Sequence, residues 1–203
     1  FNYVFFAGDV AHAAHMAKAA QAGCVVIDLK GVCASLSDVP LIVPSINDEQ
    51  LVVLQRNIVS LPDPQVTQFV FSVSQFAREN TLSQVLVTSL LPASYIDSDT
   101  VNKLAGQTAQ LLNGIPLDEE QQRLAFDVFP SPKSTTSLAA QVEKIFPQLS
   151  NVIFHQVHVP VFYGMAQMVT LRSEYEFDAQ AQLQAWQANE FVDYREASAL
   201  TPV

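Results

Sequence analysis

The residues of this chain with the chemistry to act on another molecule are few and scattered. His12 and His15 stand three apart in an alanine-rich run, a spacing that puts both imidazoles on one face of a helix and would let them share a metal ion. The rest of that run, Val10 to Ala22, holds no cysteine or acidic residue, so the two read as surface histidines and no metal site is expected. His155 and His158 are also three apart, but in a β-rich run, where alternation sends them to opposite faces. His158 reads as a hydrogen-bonded pocket residue rather than a catalyst. Cys24 and Cys33 lack the CxxC spacing of a metal or redox site, and Cys24 reads as a small buried apolar group. Asp28 ends an apolar run and Asn47 stands in a turn, positions such residues commonly fill for backbone reasons.

Those side chains need elements to hold them. An apolar fraction of 49% over 203 residues supports a sizeable core in one large or two small domains. Twenty acidic against ten basic residues leave a net charge of −10, which opposes binding to nucleic acid or an anionic membrane surface. No apolar run approaches the roughly 20 residues that span a bilayer, and no signal segment opens the chain. Two cysteines without a pairing framework suit a reducing compartment, so a cytoplasmic globular protein is expected.

The chain opens inside an apolar strand, Phe1 to Phe6, without an initiating Met, and a parallel sheet beginning there is short of neighbours; a preceding segment is therefore expected. Ala7-Gly8-Asp9 turns into a helix from Val10 to Ala22, and Cys24 to Asp28 is the next strand. Together they form a strand–helix–strand unit with parallel strands. Gly8 alone is far short of G-x-G-x-x-G, so the pyrophosphate cradle of a dinucleotide site is absent from this stretch. After a small-residue loop, 30–37, the apolar Val39 to Val43 lies between prolines, and Asp48 to Gln55 leads to a strand from Asn57 to Leu61.

The organising junction comes next. Asp63 is a good helix N-cap and Pro64 suits the first helical position. Val66, Phe69, Val70, Val73, Phe76 and Ala77 follow at helical spacing, predicting one buried face over 64–79. Beyond lie a strand, 83–91, and a helix from Thr100 to Leu112 capped by Ser98 or Asp99, with Val101, Leu104, Ala105, Thr108, Leu111 and Leu112 inward. A polar loop, 131–137, precedes a helix from Leu138 to Phe146. Asn151 to Val161 reads as a strand, Gln167 to Leu171 as its continuation or partner, and Ala179 to Asn189 as a last helix. No internal repeat appears.

Three stretches carry a resemblance. Val39-Pro40-Leu41-Ile42-Val43-Pro44-Ser45-Ile46-Asn47, then Ile58 to Gln68, resemble the segment of aspartate-semialdehyde dehydrogenases that ends in a Pro-Asn-Cys run, where the cysteine is the nucleophile. Ala105 to Pro116, with Asp118-Glu119-Glu120 and Arg123-Leu124-Ala125-Phe126, is similar to the Usg-type paralogues of that family. The resemblance covers nearly the whole chain, identified as a stretch lacking the N-terminal nucleotide-binding segment and the C-terminal end.

That family's chemistry needs a thiolate, a base and cationic groups for the substrate's carboxylate and phosphate. On the resemblance, Pro64 occupies the nucleophile position, Met165 the base and Leu91 the orienting glutamine. His158 stands where an anion-binding arginine is expected and Ala34 where another is. A Glu-x-Lys pair falls on Thr135 and Ser137, and a Gly-Ala-Gly turn on Tyr95-Ile96-Asp97. Losses in one direction at so many positions describe a dismantled site, since phosphate would face little fixed positive charge. Remnants of a substrate and cofactor pocket are expected at Ala7, Gly8, Asp28, Asn47, His158 and Tyr163.

The fold expected is α/β and α+β. A partial Rossmann-like domain, 1–62, is the C-terminal half of an NAD(P)-binding domain; a semialdehyde-dehydrogenase-type dimerisation domain of mixed sheet and helices follows, 63–203. The function implied is a non-catalytic homodimer that associates with another, unidentified protein. No cofactor is expected to be held by this stretch alone, with NADP implied for the whole protein. The alternatives are an NADP-dependent oxidoreductase acting on aspartate semialdehyde in amino-acid biosynthesis, and a sensor with a vestigial pocket lined by Tyr163, His158 and Leu91.

Overall fold

A computed structural model describes residues 1–132 and 135–195. The first sheet has the order β1-β2-β3, all parallel, with β1 at Tyr3–Phe6, β2 at Val25–Asp28 and β3 at Ile58–Ser60. A 3-10 turn, Val10–His12, leads into helix α1, Ala13–Gln21, which stops at Gly23 with φ +89°. Met16 and Ala20 of α1 pack with Phe6, Val26, Cys33, Val39 and Ile58 into one core cluster. The apolar stretch between Pro40 and Pro44 runs beside β3, with a parallel bridge from Leu41 to Ser60. It is not a full strand, because the prolines at its ends have no N–H for a ladder.

Helix α2, Pro64–Glu79, follows the sequence expectation closely. The Asp63 carboxylate accepts the Gln65 N–H at 2.9 Å, and the six apolar positions read from the sequence are all buried. At roughly 1.5–3 kcal/mol per side chain, that face contributes on the order of 10 kcal/mol before conformational entropy is subtracted. Three distant stretches are tied to it. The Asp63 N–H donates to Gln141 Oε1 at 2.7 Å, Arg78 donates to the Ile46 carbonyl, and Trp186 Nε1 donates to the Ser72 carbonyl at 2.7 Å. Aromatic pairs Phe76–Phe177 and Phe71–Phe191, each with centroids 4.8 Å apart, extend the contact.

The second sheet has the order β5-β6-β4-β7, where β4 is Leu82–Leu91, β5 Phe129–Pro130, β6 Val152–His158 and β7 Ala166–Ser173. The bonds Val85 N to Asn151 O and Val159 N to Leu91 O advance in the same sense, so β4 and β6 run parallel. Helix α3 is Ser98–Leu112, α4 Thr136–Ile145 and α5 Ala179–Ala188. Leu138, Val142, Ile145 and Phe146 are buried as expected. Residues 133 and 134, within the loop read at 131–137, lie outside the described residues. Among the described residues no helix is long and apolar enough to cross a membrane.

By compactness the described chain divides into two units. One is Phe1–Val85 with Ser137–Val152 and the stretch from Leu171; the other is Leu86–Thr136 with Ile153–Thr170. The first unit is thus assembled from separated stretches, with α2 and α4 packing within it.

Several expectations are corrected. The cap of α3 is Asp97, whose carboxylate accepts the Thr100 N–H at 2.7 Å; Ser98 and Asp99 are already helical. Its inner face is Leu104 and Gln107 with Val101 and Leu111 partly buried, while Ala105 and Leu112 are exposed. Strand β7 is neither a continuation nor a partner of β6, since β4 lies between them. Cys24 is only half-buried, and its thiol donates to the Phe1 carbonyl at 3.1 Å.

Gln107 is the residue on α3 that the periodicity misreads. Its Oε1 accepts the Leu124 and Ala125 N–H groups at 2.7 and 3.2 Å, and its Nε2 donates to the Gln122 carbonyl at 2.9 Å, so one amide holds the return loop against the helix. Gln107→Leu leaves buried N–H groups without an acceptor and is expected to cost roughly 2–3 kcal/mol, read as a lowered denaturation midpoint at unchanged slope. Exposed Gln110→Leu is the control, expected within about 0.5 kcal/mol of the parent.

Candidate functional site

Open α/β sheets bind ligands beyond the carboxyl ends of their strands, and the positions singled out in the sequence fall at such ends in each unit. In the first unit, Ala7 and Gly8 follow β1. Ala7 is exposed, and Gly8 is packed so closely that an added Cβ would lie 2.9 Å from its neighbour Phe6's ring. Asp28, at the end of β2, is fully buried. Its carboxylate accepts from the Lys30 and Cys33 N–H groups at 3.1 and 2.7 Å and from the Ser60 hydroxyl at 2.8 Å. Those three donors satisfy a buried charge that would otherwise be very costly, so Asp28 pins the β2 end to β3. Asn47 does similar work, accepting from Val43 N and donating to Leu41 O, both at 2.8 Å.

The β3 strand then delivers the chain to the start of α2. Unpaired N–H groups and the helix dipole make such a place suitable for an anion or a thiolate. Pro64 is exposed there, with neither an N–H nor a nucleophilic atom, and the Asp63 carboxylate already sits at the positive end of the helix.

Nearby, the loop after β2 carries the chemistry that sequence reasoning missed. Lys144 Nζ donates to the Ala34 and Leu36 carbonyls at 3.2 and 2.6 Å, placing an ammonium against the backbone of the residue where the resemblance implies an arginine. Desolvation holds its pKa below the usual lysine range. Burial, reinforced by the Asp28 charge, pushes the Cys33 thiol up. The lysine's helix position offered a hint, but its partners are backbone carbonyls, which carry no mark in a sequence.

In the second unit, Leu91 and His158 end the parallel strands β4 and β6. Leu91 is fully buried and His158 nearly so, with its ring stacked on Phe129 at 5.1 Å between centroids. His155 on the same strand is exposed, so the two histidines do face opposite ways. The loop after β6 lies along residues 93–94, with Ala93 N donating to Val161 O at 2.8 Å and Ser94 N to Phe162 O at 3.1 Å. Tyr163 is exposed, Gly164 has φ +85° and Met165 is half-buried. His158 lines a cavity with Thr100, Leu104 and Phe129, of about 10 Å³, room for about one water. Neither Leu91 nor Tyr163 lines it.

His12 and His15 are both exposed, their rings 6.4 Å apart and near parallel. Among the described residues no group of three or more His, Cys, Asp or Glu side chains is placed to hold a metal ion.

No protein-family model matches the chain. It is 60% identical over 183 residues to the USG-1 protein homologue of Haemophilus influenzae, a match spanning 90% of this chain and 57% of that protein. It is 30% identical over 190 residues to aspartate-semialdehyde dehydrogenase 2 of Vibrio cholerae, over 87% of this chain and 56% of that protein. The crystal structure of aspartate semialdehyde dehydrogenase II from Vibrio cholerae, complexed with ASA, superposes with a TM-score of 0.89 at 27% identity, covering 97% of this chain and 63% of that one.

The chain is homologous to the aspartate-semialdehyde dehydrogenases. Its nearer kinship is with a USG-1 homologue. It spans a little over half the length of the curated relatives it matches. The aspartate-semialdehyde dehydrogenase fold accounts for the parallel first sheet, the mixed second sheet and the helix that starts at Pro64.

The Cys33 shift has a definite sign. A thiol whose folded pKa is raised contributes stability that is fully present below its unfolded pKa, about 8.5, and lost as pH climbs through the folded value. Stability measured by denaturation at pH 7, 9 and 10 is expected to fall once the pH passes about 8.5. Cys33→Ala, which removes this titration, should flatten that fall. Thiol reagent in the native state should modify Cys24 first and Cys33 slowly.

Proposed function

We propose that this chain is a non-catalytic relative of the aspartate-semialdehyde dehydrogenases that acts by assembly, as a homodimer and in association with a further protein. The observation that carries the reading is Pro64: the helix start where the family resemblance places the nucleophile presents an imide ring next to a capping carboxylate. Met165 at the base position and Leu91 at the orienting position support it, since neither can move a proton at neutral pH. The division of roles, with residues 1–62 contributing the NAD(P)-binding type of scaffold and 63–203 the dimerisation part, belongs to the same proposal. So do NADP binding by the whole protein and a cytoplasmic location. The small cavity at His158 argues against the sensor alternative, because an organic ligand needs a few hundred cubic ångströms.

A surface for assembly is present in the second unit. Along β6, Phe154, Gln156 and His158 are buried while Ile153 and His155 are exposed. Along β4, Val87, Ser89 and Leu91 are buried while Leu86, Thr88 and Leu90 are only half-covered. Gln167 reaches Ser89 at 3.1 Å, which assigns it to the buried face and Met168 and Thr170 to the open one, where both are exposed. A sheet face carrying Ile153, Leu86, Leu90 and Met168 is what a self-complementary two-fold contact requires.

With phosphate, aspartate semialdehyde and NADP, the protein is expected to yield no NADPH above background. Pro64→Cys is expected to stay silent as well. The Asp63 carboxylate beside the new thiol opposes thiolate formation, and Met165 supplies no base. Phosphate-dependent NADPH formation by either protein, followed at 340 nm, would overturn the non-catalytic reading.

Light scattering at micromolar concentration is expected to give the mass of a dimer. Ile153→Asp with Met168→Asp should shift it to monomer at unchanged melting temperature. Leu111→Asp, in contrast, places a charge against Leu104, Leu124 and Ala125 and should cost at least about 2–3 kcal/mol of stability. A monomeric parent chain would sink the assembly proposal.

A further inference from the structure

One cleft of the first unit is lined by none of the candidate site residues named in the sequence analysis. It is bounded by residues 45–46, the last turns of α2 and residues 189–191, and it has a volume of about 390 Å³, within the range of small-molecule sites. Its charged groups are Arg78, Glu79 and Glu190, and their arrangement is selective. Among the described residues, ion pairs join Arg56 to Asp38 and Arg195 to Asp193, which leaves Arg78 a cation without a carboxylate. Its head group is nonetheless fixed, because it donates to the Ile46 carbonyl and lies over the Phe146 ring at 5.9 Å. A guanidinium carries five N–H donors in a planar fork matched to a carboxylate, and the Ile46 bond uses one.

The remaining lining decides the ligand class. One cation and two carboxylates give the cleft a charge of −1, which opposes a dianion such as phosphate but accommodates a carboxylate accompanied by an ammonium. Ile46 is buried and Phe191 half-exposed beside them, an apolar surface for a short side chain. Asn189 accepts the Phe191 N–H through Oδ1 at 2.9 Å, which fixes its amide and leaves Nδ2 as a further donor. Ser45 is held at φ +65°, its N–H donating to Asp48 Oδ2 at 3.0 Å.

The geometry points to a binding site for a zwitterionic α-amino acid with a short aliphatic side chain. Its carboxylate is taken by Arg78, its ammonium by Glu79 and Glu190, and its side chain rests on Ile46 and Phe191. This is independent of the assembly proposal, which concerns the other unit, and either can fail without the other.

The test is titration of the isotopically labelled chain with L-norvaline, followed by amide shifts of residues 45–46, 74–79 and 189–191. Pentanoate lacks the ammonium and butylamine lacks the carboxylate. Norvaline is expected to saturate with a dissociation constant of about 1 mM, near −4 kcal/mol, and each half-molecule to bind at least about tenfold more weakly. Arg78→Gln should weaken norvaline at least about tenfold. Because Arg78 also anchors the Ile46 carbonyl, its fold is verified by circular dichroism, and a second variant stands apart from that risk. Glu79→Gln with Glu190→Gln alters only exposed side chains and should bring norvaline and pentanoate to equal affinity. The proposal is overturned by absence of saturation at about 10 mM norvaline, by pentanoate matching norvaline on the parent chain, or by a double variant that still prefers norvaline.

Discussion

Helix α2 has to be enclosed, and the first unit is built around that requirement. Its buried face carries Phe69, Val70, Val73 and Phe76. The chain meets the need with stretches far apart in sequence. The loop at Ile46 receives Arg78, Gln141 in the middle of α4 receives the Asp63 N–H, and the C-terminal stretch lays Phe177, Trp186 and Phe191 along the outer side. Two of these ties, from the Asp63 N–H and to the Ile46 carbonyl, also satisfy backbone groups that the helix ladder does not reach, so enclosure of apolar surface and completion of hydrogen bonds are partly achieved by the same residues.

How far this was legible depended on whether a residue's neighbours lie close in sequence. α2 could be read almost to the residue because cap, proline and apolar period agree within it. α3 was read a quarter-turn wrong. Its Leu104, Gln107 and Leu111 do share a face, but counting only apolar letters promotes Ala105 and Leu112 and drops the glutamine. The cap read at Ser98 or Asp99 is Asp97, because three adjacent residues have side chains that can accept at a helix start and only Asp97 lies outside the helix. The placement of β4 between β6 and β7 was not readable, since strand order depends on which edges remain available once a parallel crossover has formed.

For the functional positions, sequence comparison named the residues and the structure shows what they touch. Asp28 and Asn47 look alike as polar residues at the margins of apolar runs, and both prove to be occupied within the fold, Asp28 by two backbone N–H groups and the Ser60 hydroxyl, Asn47 by one backbone N–H and one carbonyl. Lys144 carried no reading from the sequence, yet its ammonium closes the loop after β2 by capping two carbonyls. A buried polar group reports first on the backbone around it, and only what is left over is available to a ligand. By that measure the remnant positions in the first unit are committed to structure, whereas Arg78, on a helix end that drew no attention in the sequence, keeps donors to spare.

Assembly of the first unit from distant stretches also has a temporal side. During synthesis α2 emerges about 100 residues before the C-terminal aromatic residues that cover it, which at ~5–20 residues per second is a delay of roughly 5–20 s. For that interval Phe71 and Phe76 lack their aromatic partners Phe191 and Phe177, and long-range closure of this kind is slow in refolding as well. The chain is therefore most vulnerable to aggregation and to chaperone capture while it is still attached to the ribosome, and loss of Phe177 or Trp186 would be felt there before it was felt in the finished molecule.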